Sequence, residues 1–319
     1  MRSIANIRIL LILLILLLLT GCSATSAMNQ DKPEIYAFLH PADSEYWQQA
    51  AWGVEAAVKN NQAFVRIQEV NITDDYDNSM DLIKKAIRKT TKAIIITPFE
   101  SKELHKLLEK AHKTGIALLY LDTAEPYDIP GTYIYSDNEK AAEKAGRLLA
   151  ESLGKKGKVV MLSIASDDPK ALDREKGFQK AIQEYPEMEL LNIFHCNGSR
   201  ENTRKTISDI LAAHPDIRGI FAACPETSAG AVAALTASGR MNDIRIVGFD
   251  HTTETLNDIG SGLIYAYVGQ NSYQLGYQAA ETALAVAAGK SVPDRVEIEY
   301  DTSGVSDADR ETDPQDMIY

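Results

Sequence analysis

Cysteine is scarce in this chain: Cys22, Cys196 and Cys224 are the only ones in 319 residues, too few for a disulfide framework. Positive charge is short as well, with 33 Lys and Arg against 45 Asp and Glu. A chain this acidic does not suit nucleic acid or an anionic membrane surface as a partner, and no helix-turn-helix pattern is present. Phosphate-cradling patterns are missing: there is no GxxxxGK[ST], and no GxGxxG follows a strand pattern. A GxSxG elbow, HExxH and CxxC are missing too, which removes the commonest hydrolase and zinc signatures. No metal and no cofactor are expected.

Long apolar runs are also rare. The unbroken one, Ile9 to Leu19, follows Arg2 and Arg8. It falls short of the ~20 residues a membrane-spanning helix needs and has the form of a signal-peptide core. Leu19–Thr20–Gly21–Cys22 follows, and small residues directly before a Cys resemble the bacterial lipobox. Residues 1–21 are therefore expected to be a lipoprotein signal peptide. Cys22 is expected to carry a diacylglycerol, with palmitate-type chains, on the extracytoplasmic face of the cell membrane. More than one acyl chain anchors firmly, so the membrane would be met through the anchor alone. The first 21 residues hold two Arg and no acid, so the remaining chain carries −14 against −12 for the whole. Residues 22–32 are small and polar and read as a linker.

The rest alternates. Apolar strand patterns at Glu34–His40, Phe64–Val70, Ala93–Thr97, Ala117–Leu121 and Thr132–Ser136 are separated by amphipathic helical patterns. After Gly154–Lys155–Lys156–Gly157 the alternation restarts, with strands at Lys158–Ile164, Leu190–Cys196, Arg218–Ala223, Arg245–Phe249, Tyr265–Val268 and Arg295–Tyr300. Two βα series of similar length predict an α/β protein with two doubly wound parallel-sheet lobes and right-handed crossovers. Nearly 300 residues also exceed one comfortable core. The lobes are expected at 33–137 plus 271–299 and at 138–270 plus 300–305, joined by a three-strand hinge near Asp137, Gln270 and Tyr300. The stretch 306–319 reads as an acidic tail.

In open α/β sheets ligands bind beyond the carboxyl ends of the strands. Phe249 and Asp250 stand there, a flat apolar face beside a hydrogen-bond acceptor. Asp250 could equally begin the next helix. Other polar residues at strand ends are His40, Asp122, His195, Cys196, Cys224 and Gln270. In a 2-1-3 strand order the strands ending at Cys196 and Cys224 flank a central one. Two spacings of ~4.8 Å exceed the ~7 Å Cα limit for a disulfide, so two free thiols are expected. His105 and His112, seven apart on one helical pattern, read as solvated side chains.

Taken in order, several short motifs carry a resemblance: Ser44–Glu45–Tyr46–Trp47, Thr97–Pro98, Leu121–Asp122, Ser136–Asp137–Asn138, Arg174 with Gly177–Phe178, Ala213–His214–Pro215–Asp216, Val247–Gly248–Phe249–Asp250, and Gln270. From about Glu34 to Tyr300 the chain resembles the type I periplasmic sugar-binding proteins of ABC importers, the ribose-binding group in particular. The resemblance implies that Tyr46 and Trp47 stack on a sugar ring and that Asp122, Arg174, Asp250 and Gln270 bond its hydroxyls. Chemically, sugar C–H faces pack on π-systems, aspartates accept hydroxyl protons, and Arg donates a fork.

The chain departs from the ribose pattern where that pattern has an amide and here stands Ser44, a basic residue and here Thr123, and a second amide and here Cys224–Pro225. A second-lobe aromatic is missing around Cys196–Asn197–Gly198–Ser199. An unmet buried hydroxyl costs about 1–3 kcal/mol, so a different sugar, a larger one or a sugar-like signal is expected rather than ribose. The resemblance implies a monomeric, non-enzymatic receptor that closes on its ligand and docks on a membrane partner, either an ABC permease or a sensor histidine kinase. The competing enzymatic reading is a lipid-anchored glycosidase using Asp122 and Asp250 as its carboxylate pair. Arg174 nearby argues against it, since it favours both carboxyls staying ionised.

Overall fold

The computed structural model describes residues 34–304, apart from 42–43, 60, 62–63, 72 and 125–126. The expected signal peptide, Cys22, the linker and the acidic tail lie outside the described residues.

Two six-stranded sheets form, each wrapped by helices. In chain order the first series is β1 (Glu34–Leu39), α1 (Glu45–Lys59), β2 (Phe64–Glu69), α2 (Tyr76–Ala86), β3 (Thr91–Ile96), α3 (Lys102–Lys113), β4 (Ala117–Leu121) and β5 (Thr132–Tyr135). The second is α4 (Asn138–Ser152), β6 (Lys156–Ser163), α5 (Pro169–Gln183), β7 (Glu187–His195), α6 (Arg200–Ala213), β8 (Ile217–Ala222), α7 (Pro225–Ser238), β9 (Arg245–Phe249), α8 (Thr253–Gly260) and β10 (Ala266–Gln270). Then come α9 (Ser272–Ala287), β11 (Arg295–Glu297) and β12 (Tyr300–Gly304). The sheet orders are β11-β5-β4-β3-β1-β2 and β12-β10-β9-β8-β6-β7. Apart from the edge strands β11 and β12, one order repeats the other, with β6 to β10 in the places of β1 to β5. Central strands such as Ile94–Ile95–Ile96 and Val159–Val160–Met161 are fully buried, as parallel strands covered on both faces must be.

The chain passes between the lobes at three places. β5 lies in the first sheet, yet α4 packs on the second through Ala141, Ala145 and Leu149. β10 lies in the second sheet, yet α9 packs on the first through Leu275, Ala279 and Ala283. Both exits are capped: Asp137 accepts from Lys140 N–H and Asn271 from Gln274 N–H, so each helix starts at a defined point beyond its strand. The third passage corrects the sequence reading of Arg295–Tyr300 as one strand. β11 pairs parallel with β5, and β12 pairs antiparallel with β10 in the other sheet; Ile298 and Glu299 cross between them. The helix α8 was not read from sequence, because its eight residues are too short to show a periodicity.

Close helix pairs hold the passages in place. A Cβ at Gly276 of α9 would lie 1.9 Å from Ala50 O of α1, and one at Gly177 of α5 would lie 2.1 Å from Glu139 O of α4. Glycine alone allows these backbones to touch. Among the described residues, no helix is long and apolar enough to cross a membrane.

Candidate functional site

The carboxyl ends of β4, β9 and β10 meet between the lobes. Asp122 follows β4 and Asp250 follows β9, each with a left-handed backbone at φ 59° and 57°. That conformation is uncommon outside glycine, Asn and Asp, and here it turns the chain so that both carboxyls point inward. Gln270 ends β10. Its side-chain amide donates to Asp122 Oδ1 (2.9 Å) and to the Tyr46 hydroxyl (3.1 Å), and its backbone N–H donates to Asp250 Oδ1 (2.9 Å).

Arg174 is buried, at 4% exposure, so it is no surface ion pair with Asp173 or Glu175. Its Nε donates to Asn138 Oδ1 (2.8 Å), one terminal nitrogen to Ala223 O (2.7 Å), and the other to Gln270 Oε1 (3.2 Å) and Asp250 Oδ2 (3.5 Å). Phe249 does not offer a face to a ligand, as the sequence reading had it. The ring is fully buried among β9's apolar neighbours, and the Arg174 guanidinium lies over it at 3.9 Å. Side chains alternate along a strand, so Phe249 falls on the α4 side while Asp250 turns into the cleft. A cation over an aromatic face is attracted by the ring quadrupole, which makes Phe249 a platform for Arg174.

Burial pushes Asp250 above the ordinary aspartate range, although Arg174 and the Gln270 N–H pull the other way. Arg174 pulls this carboxyl towards the ionised form, as the sequence reading had it, but desolvation is the larger effect on its pKa. The Tyr46 hydroxyl is held well above its usual range by burial, with Asp122 and Asp250 adding to it, so Tyr46 acts as a neutral phenol.

Tyr46 and Trp47 stand edge to face at 5.0 Å in the first turn of α1, and His40 lies 4.8 Å from Trp47. Ser44 serves the helix start: its hydroxyl faces Trp47 N–H at 3.4 Å and its carbonyl accepts from Gln48. Cys224 opens α7 and its thiol lies 3.5 Å from the Thr227 hydroxyl, buried and pushed up in pKa by that burial. Cys196 is also buried, and both are free thiols, on strands that flank β6.

A cavity of about 1210 Å³ opens beside this cluster. Its walls are the turns after β3, β4 and β5 from one lobe and the first turns of α4 and α5 from the other. Of the ten residues expected to bind ligand, Asp122 and Thr123 line it. Ser44, Tyr46, Trp47, Arg174, Cys224, Phe249, Asp250 and Gln270 form or surround the packed cluster instead.

Lys170 was missed. It reaches across the cleft from the first turn of α5 and pairs with Asp122 Oδ2. Its spacing from Arg174, four residues on one helix face, was the available signal. His105 lines the cavity and bonds Asp128 at 2.8 Å; it is not simply solvated, whereas His112 is exposed. A second bridge between the lobes joins Glu45 Oε2 to Thr253 N–H (2.8 Å) and its hydroxyl (3.0 Å).

A family model described as a periplasmic binding protein domain matches residues 35–291. The chain belongs to the periplasmic binding proteins. A D-apiose import binding protein of Paraburkholderia graminis is 31% identical over 211 residues, covering 66% of this chain and 67% of that one. The ribose import binding protein of Bacillus subtilis is 25% identical over 267 residues, covering 79% and 86%. Among solved structures, an ABC transporter solute-binding protein of Actinobacillus succinogenes with bound D-allose superposes with a TM-score of 0.79 at 25% identity, over 87% of this chain and 99% of that one. In this periplasmic binding protein the cluster of Asp122, Arg174, Asp250 and Gln270 lies between two like lobes.

Proposed function

We propose that this protein captures a sugar between its lobes and delivers it to an ABC importer, with Cys22 as a lipid anchor on the extracytoplasmic face of the membrane. The observation that carries the reading is the Asp122–Gln270–Asp250–Arg174 cluster, with Tyr46 and Trp47 beside it. Two acidic acceptors, an amide and a fork donor in one buried place match the alternating donors and acceptors of a polyol. Relatives named for D-apiose and ribose import support the sugar class and the importer, and the run Leu19–Thr20–Gly21–Cys22 supports the anchor.

Tyr46, Trp47 and Asp122 come from the first lobe, and Arg174, Asp250 and Gln270 from the second. A sugar bridging them favours the closed arrangement by its extra affinity for that state, with bending at the three passages near Asp137, Gln270 and Tyr300. Thr123, at the cavity wall, and Ser44 and Cys224, at helix starts, shape the pocket around these contacts. Phe249 acts through Arg174.

A thermal-shift panel of pentoses, hexoses, polyols and disaccharides tests the reading, on protein unfolded and refolded to strip carried ligand. A ligand at 100 times its Kd adds about 2.7 kcal/mol, several degrees in Tm. A shift by one sugar class that Trp47→Ala and Asp250→Asn abolish supports the reading. A flat panel overturns it.

A further inference from the structure

We infer that Lys170 is a ligand-binding residue that sets specificity: from the second lobe its ammonium donates to the oxygen of the same sugar hydroxyl whose proton Asp122 of the first lobe accepts. The inference rests on the sugar reading above and deepens it, adding to the site a residue and the one hydroxyl that it reads.

Placement is the first observation. Lys170 and Arg174 lie four residues apart on α5 and so share a face. Arg174 is 4% exposed, and its guanidinium is spread over Asn138, Ala223, Gln270 and Asp250. It does not reach the cavity, whereas Lys170 and Asp122 both line it. The Lys170 side chain keeps 36% of its surface exposed while its Nζ pairs with Asp122 Oδ2. An ammonium has three N–H donors and no acceptor. Asp122 takes one, which leaves donors at the cavity wall.

The chemistry of the pair is the second. The Asp122 carboxyl accepts from Gln270 at Oδ1 and from Lys170 at Oδ2. Its two oxygens offer about four lone-pair sites, so it can accept one proton more without giving up either partner. A hydroxyl is donor and acceptor at once. Seated against a carboxylate–ammonium pair, it satisfies both of its halves, and both bonds are charge-assisted. Asp122 and Lys170 belong to different lobes, so a hydroxyl held by both is gripped in the closed arrangement alone and contributes to closing it.

The helix start is the third. Pro169 opens α5 and Lys170 follows it; the Asp168 carboxyl caps the helix by accepting from Lys170 N–H (2.8 Å) and Ala171 N–H (3.0 Å). Those residues complete the cap without the Lys170 side chain. A helix N-terminus favours negative charge and opposes a cation. Local structure therefore gives no reason for a lysine at 170, and what it meets across the cleft does.

Calorimetry on the full chain, stripped of carried ligand, tests this. The probes are D-ribose, D-xylose, D-allose, D-glucose and D-galactose, followed by the monodeoxy forms of whichever binds most tightly. Lys170→Met keeps the stem and removes the ammonium. It is expected to weaken the parent sugar about tenfold or more and to leave the Tm of the ligand-free protein unchanged, since the side chain is part-exposed. One monodeoxy form should bind wild type about tenfold more weakly than its parent, and the same change should cost Lys170→Met at most about threefold. Affinity in Lys170→Met within about twofold of wild type, or tighter, overturns the inference and makes Lys170 a tie between the lobes that the sugar does not touch. A loss of equal size for the parent and every deoxy form also overturns it, because Lys170 then acts on closure or on Asp122 and reads no hydroxyl. The sugar reading survives both of those results. Wild type binding none of the sugars overturns that reading and this inference together.

Discussion

Asp122 and Asp250 occupy the same place in the two lobes, and Gln270 ties them together. Each follows the fourth strand of its sheet, each has φ near 58° (59° and 57°), and each donates its N–H to the neighbouring strand, at Ile134 O (2.8 Å) and Val268 O (3.0 Å). Gln270 binds the first with its side chain and the second with its backbone. The cleft therefore holds two copies of one device facing each other, with the tie on a strand at the hinge.

That geometry separates binding from folding. Asn shares the tolerance of Asp for the left-handed region, so both Asp122→Asn and Asp250→Asn keep the turn; Asp122→Asn, whose Lys170 partner reaches solvent, should keep Tm close to wild type, whereas Asp250→Asn leaves the buried Arg174 without its carboxylate and should lower Tm. Each removes a charged acceptor, worth about 1.5–3 kcal/mol per hydrogen bond, and affinity should fall roughly 10- to 150-fold. The Ala variants should lose affinity and in addition about 1–2 kcal/mol of stability from the backbone alone. Titration calorimetry and thermal melts on the four variants check both halves.

The βα alternation, the two lobes and the residues at strand ends were legible in the sequence, because buried parallel strands leave continuous apolar runs and the chain repeats them. The division of 295–300 between two sheets was not: five or six residues of strand character carry no mark of which sheet they join. Phe249 was misread for a related reason. Sequence places it next to Asp250, but the pleat and the left-handed turn at Asp250 send the two side chains to different sides. Lys170 and the cavity were invisible because they depend on how one lobe faces the other.

Arg174 should be the least replaceable residue of the cluster. It neutralises the buried Asp250, satisfies Ala223 O and Asn138, and lies on Phe249. Removing one partner of a buried pair leaves an uncompensated charge and costs about 3–5 kcal/mol. Arg174→Met should lower stability by that order in urea melts, and Arg174→Lys should recover only part of it because an ammonium cannot fork to several acceptors. Adding Asp250→Asn to Arg174→Met should restore stability; failure to do so would mean that packing rather than charge dominates.

Acid should weaken binding before it reaches the ordinary aspartate range. Asp250 has a folded pKa raised by burial. A raised value contributes stability fully present below the unfolded pKa and lost as pH rises through the folded one, so protonation does not harm the free fold through this group. His251 has the opposite sign: burial lowers its pKa, and its contribution is lost as pH falls through the folded value. Sugar hydroxyls, however, need Asp250 ionised. Affinity measured from neutral pH downward should drop at a pH above the ordinary aspartate value of 3.8, and Asp250→Asn should flatten that step.

The glycine contacts give a test of how the lobes are positioned. A methyl at Gly276 must push α9 off Ala50, and one at Gly177 must push α5 off Glu139. Overpacking of this kind typically costs about 1–3 kcal/mol, and both Ala variants should show it in melts. Their effects on binding should differ. Gly276→Ala moves the helix that follows Gln270 and the helix that carries Tyr46 and Trp47, so contacts from both lobes shift. Gly177→Ala displaces Arg174 from Asn138, one turn away, and leaves the aromatic pair in place.

Glu45 and Thr253 close the far side of the cleft, where a carboxylate of one lobe accepts from the first N–H of α8 in the other. A negative group at a helix N-terminus is favourable by about 0.3–1 kcal/mol when exposed, so the bridge biases the lobes towards closure without locking them. Glu45→Gln keeps an acceptor and drops the charge; Glu45→Ala drops both. If the bridge acts on the lobe equilibrium, the Ala variant should raise the radius of gyration of the ligand-free protein in X-ray scattering. Saturating sugar should return it to the wild-type bound value, because bound sugar supplies the closing contacts itself. The affinity should fall about two- to fivefold, the size that such a bias converts to. An unchanged radius with an unchanged Kd would mean that the Lys170–Asp122 pair and Gln270 hold the lobes without help from Glu45.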